Sequence, residues 1–266
     1  MATFFFETIT AAQALTYSAA TDTIVFSNPT SSGAKMTVLY NAATATSTAT
    51  VTLIDNADGK SVTFGTGIYG EGEGGNGTFI FPDASNLVVG DAVLNDTGAI
   101  ATAGADGMFG GGGDDTLNAG SGNDLLQGNQ GNDTLNGGAS GNDTMFGGQG
   151  NDSIEAGDGA NFVNGNLGND TIVATGSTSA NILLGGQGND VITGGTGGDI
   201  LSGDSGNDTV SGNGGNDSIA GVTGNDILTG GAGNDTIDGG TGDDTIVGAA
   251  GSNILTGGDG NDCVKS

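Results

Sequence analysis

The chain contains no histidine and no tryptophan. Without imidazole there is no Ser-His-Asp triad and no H-E-x-x-H zinc site, so hydrolase and metalloprotease chemistry of those kinds is excluded. A single cysteine, Cys263, cannot close an internal disulfide. Only three Lys and Arg stand against 31 Asp and Glu, for a formal net charge of −28. Such a surface repels nucleic acid and anionic lipid, which recruit basic side chains. No apolar run approaches the ~20 residues of a membrane helix, so no membrane span is expected. The first residues, Met1-Ala-Thr-Phe-Phe-Phe-Glu7, show no basic region of a signal peptide.

What the chain has is glycine, at 57 of 266 positions. That is roughly three times the average usage of about 7%. A glycine-rich, acidic, aromatic-poor chain is either disordered or a short-period repeat whose charge is neutralised by metal. Periodicity separates the two. From Ala101 to Lys265 the sequence repeats every nine residues, in eighteen units beginning at 101, 110, 119, 128, 137, 147, 156, 165, 174, 185, 194, 203, 212, 221, 230, 239, 248 and 257. Units 137–146 and 174–184 are longer, with ten and eleven residues. The clearest are Gly185-Gly-Gln-Gly-Asn-Asp-Val-Ile-Thr193 and Gly230-Gly-Ala-Gly-Asn-Asp-Thr-Ile-Asp238.

Each part of the nonad has a physical role. The glycines permit positive φ and close backbone approach in a tight turn. The aspartate offers hard carboxylate oxygen, which suits Ca²⁺. The last three residues read as a short strand, out-in-out, with the middle one always large and apolar. That apolar series runs Met108, Leu117, Leu126, Leu135, Met145, Ile154, Val163, Ile172, Leu183, Ile192, Leu201, Val210, Ile219, Leu228, Ile237, Ile246, Leu255 and Val264, and is expected to form a thin core between two parallel sheets.

Read as G-G-x-G-x-D-x-U-x, where U is large and apolar, residues 101–265 resemble the RTX calcium-binding nonapeptide family. The resemblance implies a right-handed parallel β-roll in which two consecutive nonads make one coil. It also implies Ca²⁺ between coils on the same side, held by Asp from units n and n+2 together with backbone carbonyls. Eighteen units then give about nine coils, a rod roughly 40 Å long at a strand spacing of ~4.8 Å. The expected fold is all-β: an N-terminal antiparallel β domain, residues 1–100, followed by the β-roll, residues 101–266.

Because sides alternate, the units sort into two rows. The even row carries Asp115, Asp133, Asp152, Asp170, Asp190, Asp208, Asp226, Asp244 and Asp262. Its units open with Gly110, Gly128, Gly147, Gly165, Gly185, Gly203, Gly221, Gly239 and Gly257, expected to contribute to the metal sites. The odd row carries Asp106, Asp124, Asp143, Asn161, Asn181, Asp199, Asp217, Asp235 and Asn253, so every Asn replacement and both length exceptions fall on it. Asn offers one neutral oxygen where Asp offers a charged, potentially bidentate carboxylate. Two readings stay open: vacancy of the odd row around Asn161 and Asn181, or weak ligation by Asn. The fifteen ladder aspartates, packed without cations, would drive the chain apart. Extracellular calcium sites bind at about 10⁻⁴ to 10⁻³ M. Each contributes about 1 kcal/mol at a few times its Kd, so a dozen would supply roughly 10 kcal/mol, the stability of a whole domain.

In residues 1–100 strands are expected at Thr3–Thr10, Thr23–Asn28, Lys35–Tyr40, Ala49–Asp55, Ser61–Gly65, Gly77–Phe81 and Leu87–Leu94, bounded by turn signals such as Asn28-Pro29. An antiparallel sandwich or sheet cap is the expected arrangement. Phe4-Phe5-Phe6 reads as core or as a strand added to a neighbour. Glu71 and Glu73 read as a solvated loop. The Asn-Asp-Thr and Asn-Asp-Ser strings match glycosylation sequons, but the repeat generates them automatically. Cys263 falls on the outward side of the last strand.

No catalytic constellation is recognised, and the chain is expected not to be an enzyme. It lacks the acylated hydrophobic region of RTX toxins. Export signals for type I secretion usually follow the repeats in this family, whereas this sequence stops at Lys265-Ser266, so either an unusually compact signal or a truncation is expected. The expected role is a secreted, extracellular or cell-surface structural protein of a Gram-negative bacterium, folding and self-assembling in calcium as a surface layer, filament or biofilm matrix. Its expected partners are calcium ions and other copies of itself, an open coil end serving as the template. The alternative is an adhesin whose N-terminal β domain binds a cell-surface glycan.

Overall fold

In a computed structural model, the described residues comprise 104–266 without a break and, before them, 3–5, 9, 14, 23–25, 36–41, 50–56, 60–65, 78–80 and 87–89. Seven short strands precede the repeat: β1 (Thr3–Phe5), β2 (Thr23–Val25), β3 (Met36–Asn41), β4 (Thr50–Asp55), β5 (Lys60–Gly65), β6 (Thr78–Ile80) and β7 (Leu87–Val89). Each lies inside or against an expected strand segment, but their partners differ from the expected sandwich. Antiparallel pairing is confined to the small sheet β3-β4-β5, in which Val38, Leu53 and Val62 share one register column and are buried. Strands β1, β2 and β6 form a parallel sheet, with Thr3 opposite Thr23 and Thr23 opposite Thr78. Alternating apolar residues specify a strand but not the direction of its neighbour, which tertiary context decides. Phe4 and Phe5 belong to β1, where they pair with Ile24 and Val25. Phe6, Glu71 and Glu73 lie outside the described residues.

The last of these strands joins the repeat. β7 pairs in parallel with β8 (Gly107–Gly112), placing Val88 in register with Met108, and so adds a tenth strand to the sheet that β8 begins. Strand pairing therefore runs across the expected boundary at residue 100.

From residue 107 the chain is a parallel β-solenoid of about nine turns. Eighteen strands, one per repeat unit, divide alternately between two parallel sheets. The first sheet contains β8 and the strands whose central apolar residues are Leu126, Met145, Val163, Leu183, Leu201, Ile219, Ile237 and Leu255. The second contains β9 (Thr116–Asn118) and the strands centred on Leu135, Ile154, Ile172, Ile192, Val210, Leu228, Ile246 and Val264. The inward series stacks in register, Leu126 on Met145 and Leu135 on Ile154. Every member from Met108 to Ile246 is at most 2% exposed, so the expected thin core is present. Leu255 is only partly buried and Val264 is 46% exposed, in the strands at the edge of each sheet.

Each coil advances by 18 residues, except where the long units make the step 19 or 20. The turns between strands need left-handed backbone. Gly131 sits at φ +130°, and a Cβ there would collide with the carbonyl of Gly113 one coil below. The second position of most nonads is also left-handed, and there Asn129, Asn166, Asp204, Asn213, Val222 and Ala249 hold positive φ. Asn and Asp tolerate this conformation, whereas a β-branched Val is an outlier.

Candidate metal centre

The aspartates singled out from the repeat face inward at the turns. Asp106, Asp115, Asp124, Asp133, Asp143, Asp152, Asp170, Asp190, Asp199, Asp208, Asp217, Asp226, Asp235 and Asp244 are all at most 3% exposed. Asp262, in the last coil, is half-buried. Two bonds from the backbone of each, Asp262 excepted, tie it to the coil above. The carbonyl of Asp115 accepts from the amide of Thr134 at 2.8 Å, and the amide of Asp115 donates to Oδ1 of Asp133 at 2.7 Å. The same amide-to-carboxylate bond recurs from Asp133 to Asp152, Asp170, Asp190, Asp208, Asp226, Asp244 and Asp262, at 2.7 to 3.0 Å. The odd row repeats it through Asp106, Asp124, Asp143, Asn161, Asn181, Asp199, Asp217, Asp235 and Asn253.

This bond occupies one side-chain oxygen in every rung, a carboxylate oxygen where Asp stands and an amide oxygen at Asn161, Asn181 and Asn253. The other carboxylate oxygen is left over: Oδ2 of Asp124, Asp133, Asp143, Asp152, Asp170, Asp190, Asp208, Asp217, Asp226, Asp235 and Asp244 is buried without a hydrogen-bond partner. A buried charged oxygen with no partner costs several kcal/mol, so such groups are normally paired, protonated or bound to metal. Burial pushes the carboxyls of Asp143 and Asp152 up to about 7, against the opposing amide bond and with further upward pressure from neighbouring aspartates. Those of Asp124, Asp133, Asp190, Asp208, Asp217 and Asp226 are pushed up to about 6, again chiefly by burial.

The first glycines of the even units bring a second oxygen to the same place. A methyl group on Gly110 would meet Oδ2 of Asp115 and lie 2.8 Å from the carbonyl oxygen of Gly128. Gly128, Gly147, Gly165 and Gly185 repeat the pattern, each facing its own unit's Oδ2 and the carbonyl of Gly147, Gly165, Gly185 or Gly203 in the next coil. Gly221 and Gly239 do so with the carbonyls of Gly239 and Gly257, while at Gly203 and Gly257 the nearest atoms are those of Asp208 and Asp262. Among the described residues no three acidic, histidine or cysteine side chains converge. A cation between coils would therefore take its remaining oxygens from the backbone. Carboxylate plus carbonyl oxygen is the donor set of Ca²⁺, which accepts six to eight oxygens in flexible geometry. The orphaned Oδ2 atoms and inward carbonyls fit that ion.

A second ladder, at the fifth position of the nonad, was not anticipated from the sequence. Along the even row Oδ1 of Asp114, Asn132, Asn151, Asn169, Asn189, Asn207, Asn225 and Asp243 each accepts the amide of its counterpart one coil above, at 2.6 to 2.9 Å. It runs opposite to the aspartate ladder and is exposed. Its signal in the sequence is the Asn that recurs before the Asp of the repeat. On the odd row the same position holds Ala160, Ala180 and Gly198, which have no side-chain acceptor, so the ladder is interrupted there.

Cys263 is exposed and free, and among the described residues no helix is long and apolar enough to cross a membrane. Comparison with known families matches the RTX calcium-binding nonapeptide repeat at residues 109–140, 138–172, 175–210, 211–246 and 238–264, more than half of the chain. No curated protein matches.

Proposed function

The chain belongs to the RTX calcium-binding nonapeptide-repeat family, and from this we propose that it is a secreted, non-catalytic structural protein that folds on binding calcium and then assembles with further copies of itself. The observation that carries the reading is the file of buried, unpartnered Oδ2 atoms along the turns. Each is a charge that the fold places out of water and leaves unanswered, and a divalent cation between coils answers it. Sites of this type saturate at about 10⁻⁴ to 10⁻³ M calcium. The roll would then stay open in a low-calcium cytoplasm and close outside the cell.

Self-assembly finds support on the outer face of the ten-stranded sheet. Phe162, Ile182 and Ile200 are register neighbours on three successive coils, and Ile182 and Ile200 are 39% and 51% exposed. Leu167, at the end of the strand that starts with Phe162, is 41% exposed. An apolar strip on the outer face of a sheet is a surface for lateral contact between rods. It becomes usable once calcium has offset the repulsion between two chains of charge −28.

Far-UV circular dichroism and negative-stain electron microscopy test both parts, first in excess chelator and then at about 5 mM calcium, above typical extracellular Kd values. Strand signal that appears only with calcium, followed by filaments or sheets, is the expected result. Discrete rods in calcium would retain the folding role and remove self-assembly. A strand signal unaffected by chelator at neutral pH would remove the folding role itself.

A further inference from the structure

We infer that the odd edge of the roll contains a metal-free clasp at Asn161, Ser177, Asn181 and Asp199, in which the protein's own N–H and O–H donors stand where the other turns would hold calcium. The inference rests on the calcium reading of the remaining turns.

The amide orientations follow from their partners. Oδ1 of Asn161 accepts the amide of Asp143 at 2.9 Å, so its Nδ2 faces the turn. There Nδ2 donates to the carbonyls of Gly157 and Gly159 at 3.3 and 3.4 Å, one amide group shared between two acceptors. Ser177, fully buried, donates its hydroxyl to the same Gly159 carbonyl at 2.8 Å. Oδ1 of Asn181 accepts the amide of Asn161 at 3.1 Å, and Nδ2 of Asn181 donates to the Ser179 carbonyl at 3.1 Å and to Oδ1 of Asp199 at 3.0 Å. The amide of Gly195 donates to Oδ2 of Asp199 at 2.8 Å.

Both oxygens of Asp199 are thus satisfied by protein donors. In the flanking odd-row turns Oδ2 of Asp143 and of Asp217 remains buried and unpartnered. Turn carbonyls at 157, 159 and 179 already accept hydrogens, and a cation placed among them would face the positive ends of those N–H and O–H groups. Ala156 and Ala174 add methyl groups at the register position where the even row keeps glycine, and both are buried. The eleven-residue unit 174–184 supplies the slack: Ser177 turns back, its amide donating to the Ala174 carbonyl at 2.9 Å, and so brings its hydroxyl inside. The clasp divides the odd calcium ladder into two blocks and leaves the even ladder as the only continuous metal edge beside it.

Calcium stoichiometry on the full-length chain tests this, by equilibrium dialysis against calcium chloride of the wild type and of Asn161→Asp/Asn181→Asp. The wild type is expected to bind calcium, and the folded double variant to bind more ions. An unchanged count in a folded variant overturns the clasp. A wild type that binds no calcium overturns instead the underlying assignment of the turns. Anomalous scattering from wild-type crystals grown in calcium decides independently of how the variant folds. Ion peaks along the even edge with none among the carbonyls of Gly157, Gly159 and Ser179 are expected, and a peak at that place overturns the clasp.

Discussion

Along the even edge of the roll nine aspartates follow one another without interruption, each in a turn opened by glycine and flanked by the fifth-position ladder. Along the odd edge the same nonad is interrupted over three successive coils, where Asn161, Asn181, Ala160, Ala180 and Gly198 replace the repeating pattern. Both edges nevertheless keep the amide-to-Oδ1 bond between coils, because Asn supplies that acceptor as well as Asp does. The rung that aligns the coils is therefore separable from the oxygen that meets the metal. A solenoid can lose calcium from part of one edge without losing register, provided the vacated turn finds other donors.

The largest expected effect concerns the metal-dependent turns as a set. In chelator, carboxyls raised from 3.8 to about 6 or 7 bind protons more tightly when folded than when unfolded. Protonation then stabilises the folded state, fully below about pH 4, and that contribution disappears as pH rises through 6 to 7. The metal-free roll should accordingly show most strand signal near pH 4 to 5 and lose most of it by pH 7.5. Calcium binding requires the deprotonated carboxylates, so its stabilising effect should run the other way and weaken below about pH 6. Circular dichroism across pH, with and without calcium, measures both slopes. Identical slopes would break the assignment of the orphaned oxygens to metal.

Next in size is a single methyl group, added on the even edge and removed on the odd edge. A Cβ on Gly185 would press on Oδ2 of Asp190 and sit 2.7 Å from the Gly203 carbonyl. Gly185→Ala should cost about 3 kcal/mol in calcium, through overpacking and a damaged site. The reverse change on the odd edge, Ala174→Gly, should cost only about 1 kcal/mol, from the flexibility gained by the unfolded chain. Denaturant titration at about 5 mM calcium compares the two.

The strands of the roll, its inward apolar series and the rows of aspartates were legible in the sequence because a nine-residue period fixes which residues share a face and which share a turn. Less legible was anything that depends on a choice of partner. Thr3–Phe5 and Leu87–Val89 have ordinary strand composition, and nothing in it states that the first pairs in parallel with Thr23–Val25 or that the second extends the roll. The expectation of bidentate carboxylates also missed that Oδ1 is engaged by the preceding coil, since an amide at a distance of 18 residues leaves no local mark. The long unit 174–184 was visible as an exception, but its length alone does not say that Ser177 is the residue turned inward.

A smaller pair of effects tests whether the aspartates themselves follow the division. Asp199→Asn replaces an oxygen that accepts from Gly195 with an amide donor, and should cost about 1 to 3 kcal/mol whether calcium is about 1 or 20 mM. Asp208→Asn keeps the bond from Asp190 but loses the orphaned oxygen. Its cost should be about 1 kcal/mol, the contribution of one site, and should grow between the two calcium concentrations. Equal calcium dependence in the two variants would erase the distinction between the edges.

The smallest effect is a control that both edges share. Val222, on the even edge, and Ala249, on the odd edge, both hold φ near the left-handed region, at +81° and +64°. This strain belongs to the geometry of the turn and not to its metal, so relieving it should be blind to calcium and to the row. A left-handed residue other than glycine costs about 1 to 2 kcal/mol, offset by the 0.5 to 1 kcal/mol that glycine loses in conformational freedom. Val222→Gly should therefore stabilise the roll by about 1 kcal/mol, and Ala249→Gly by a few tenths, the branched side chain being the worse fit. Denaturant midpoints that shift in this order by the same amounts at low and high calcium would place the strain in the turn alone. A gain that changed with calcium would mean that backbone conformation at the second position sets the metal affinity. The two edges would then differ in turn shape as well as in their carboxylates.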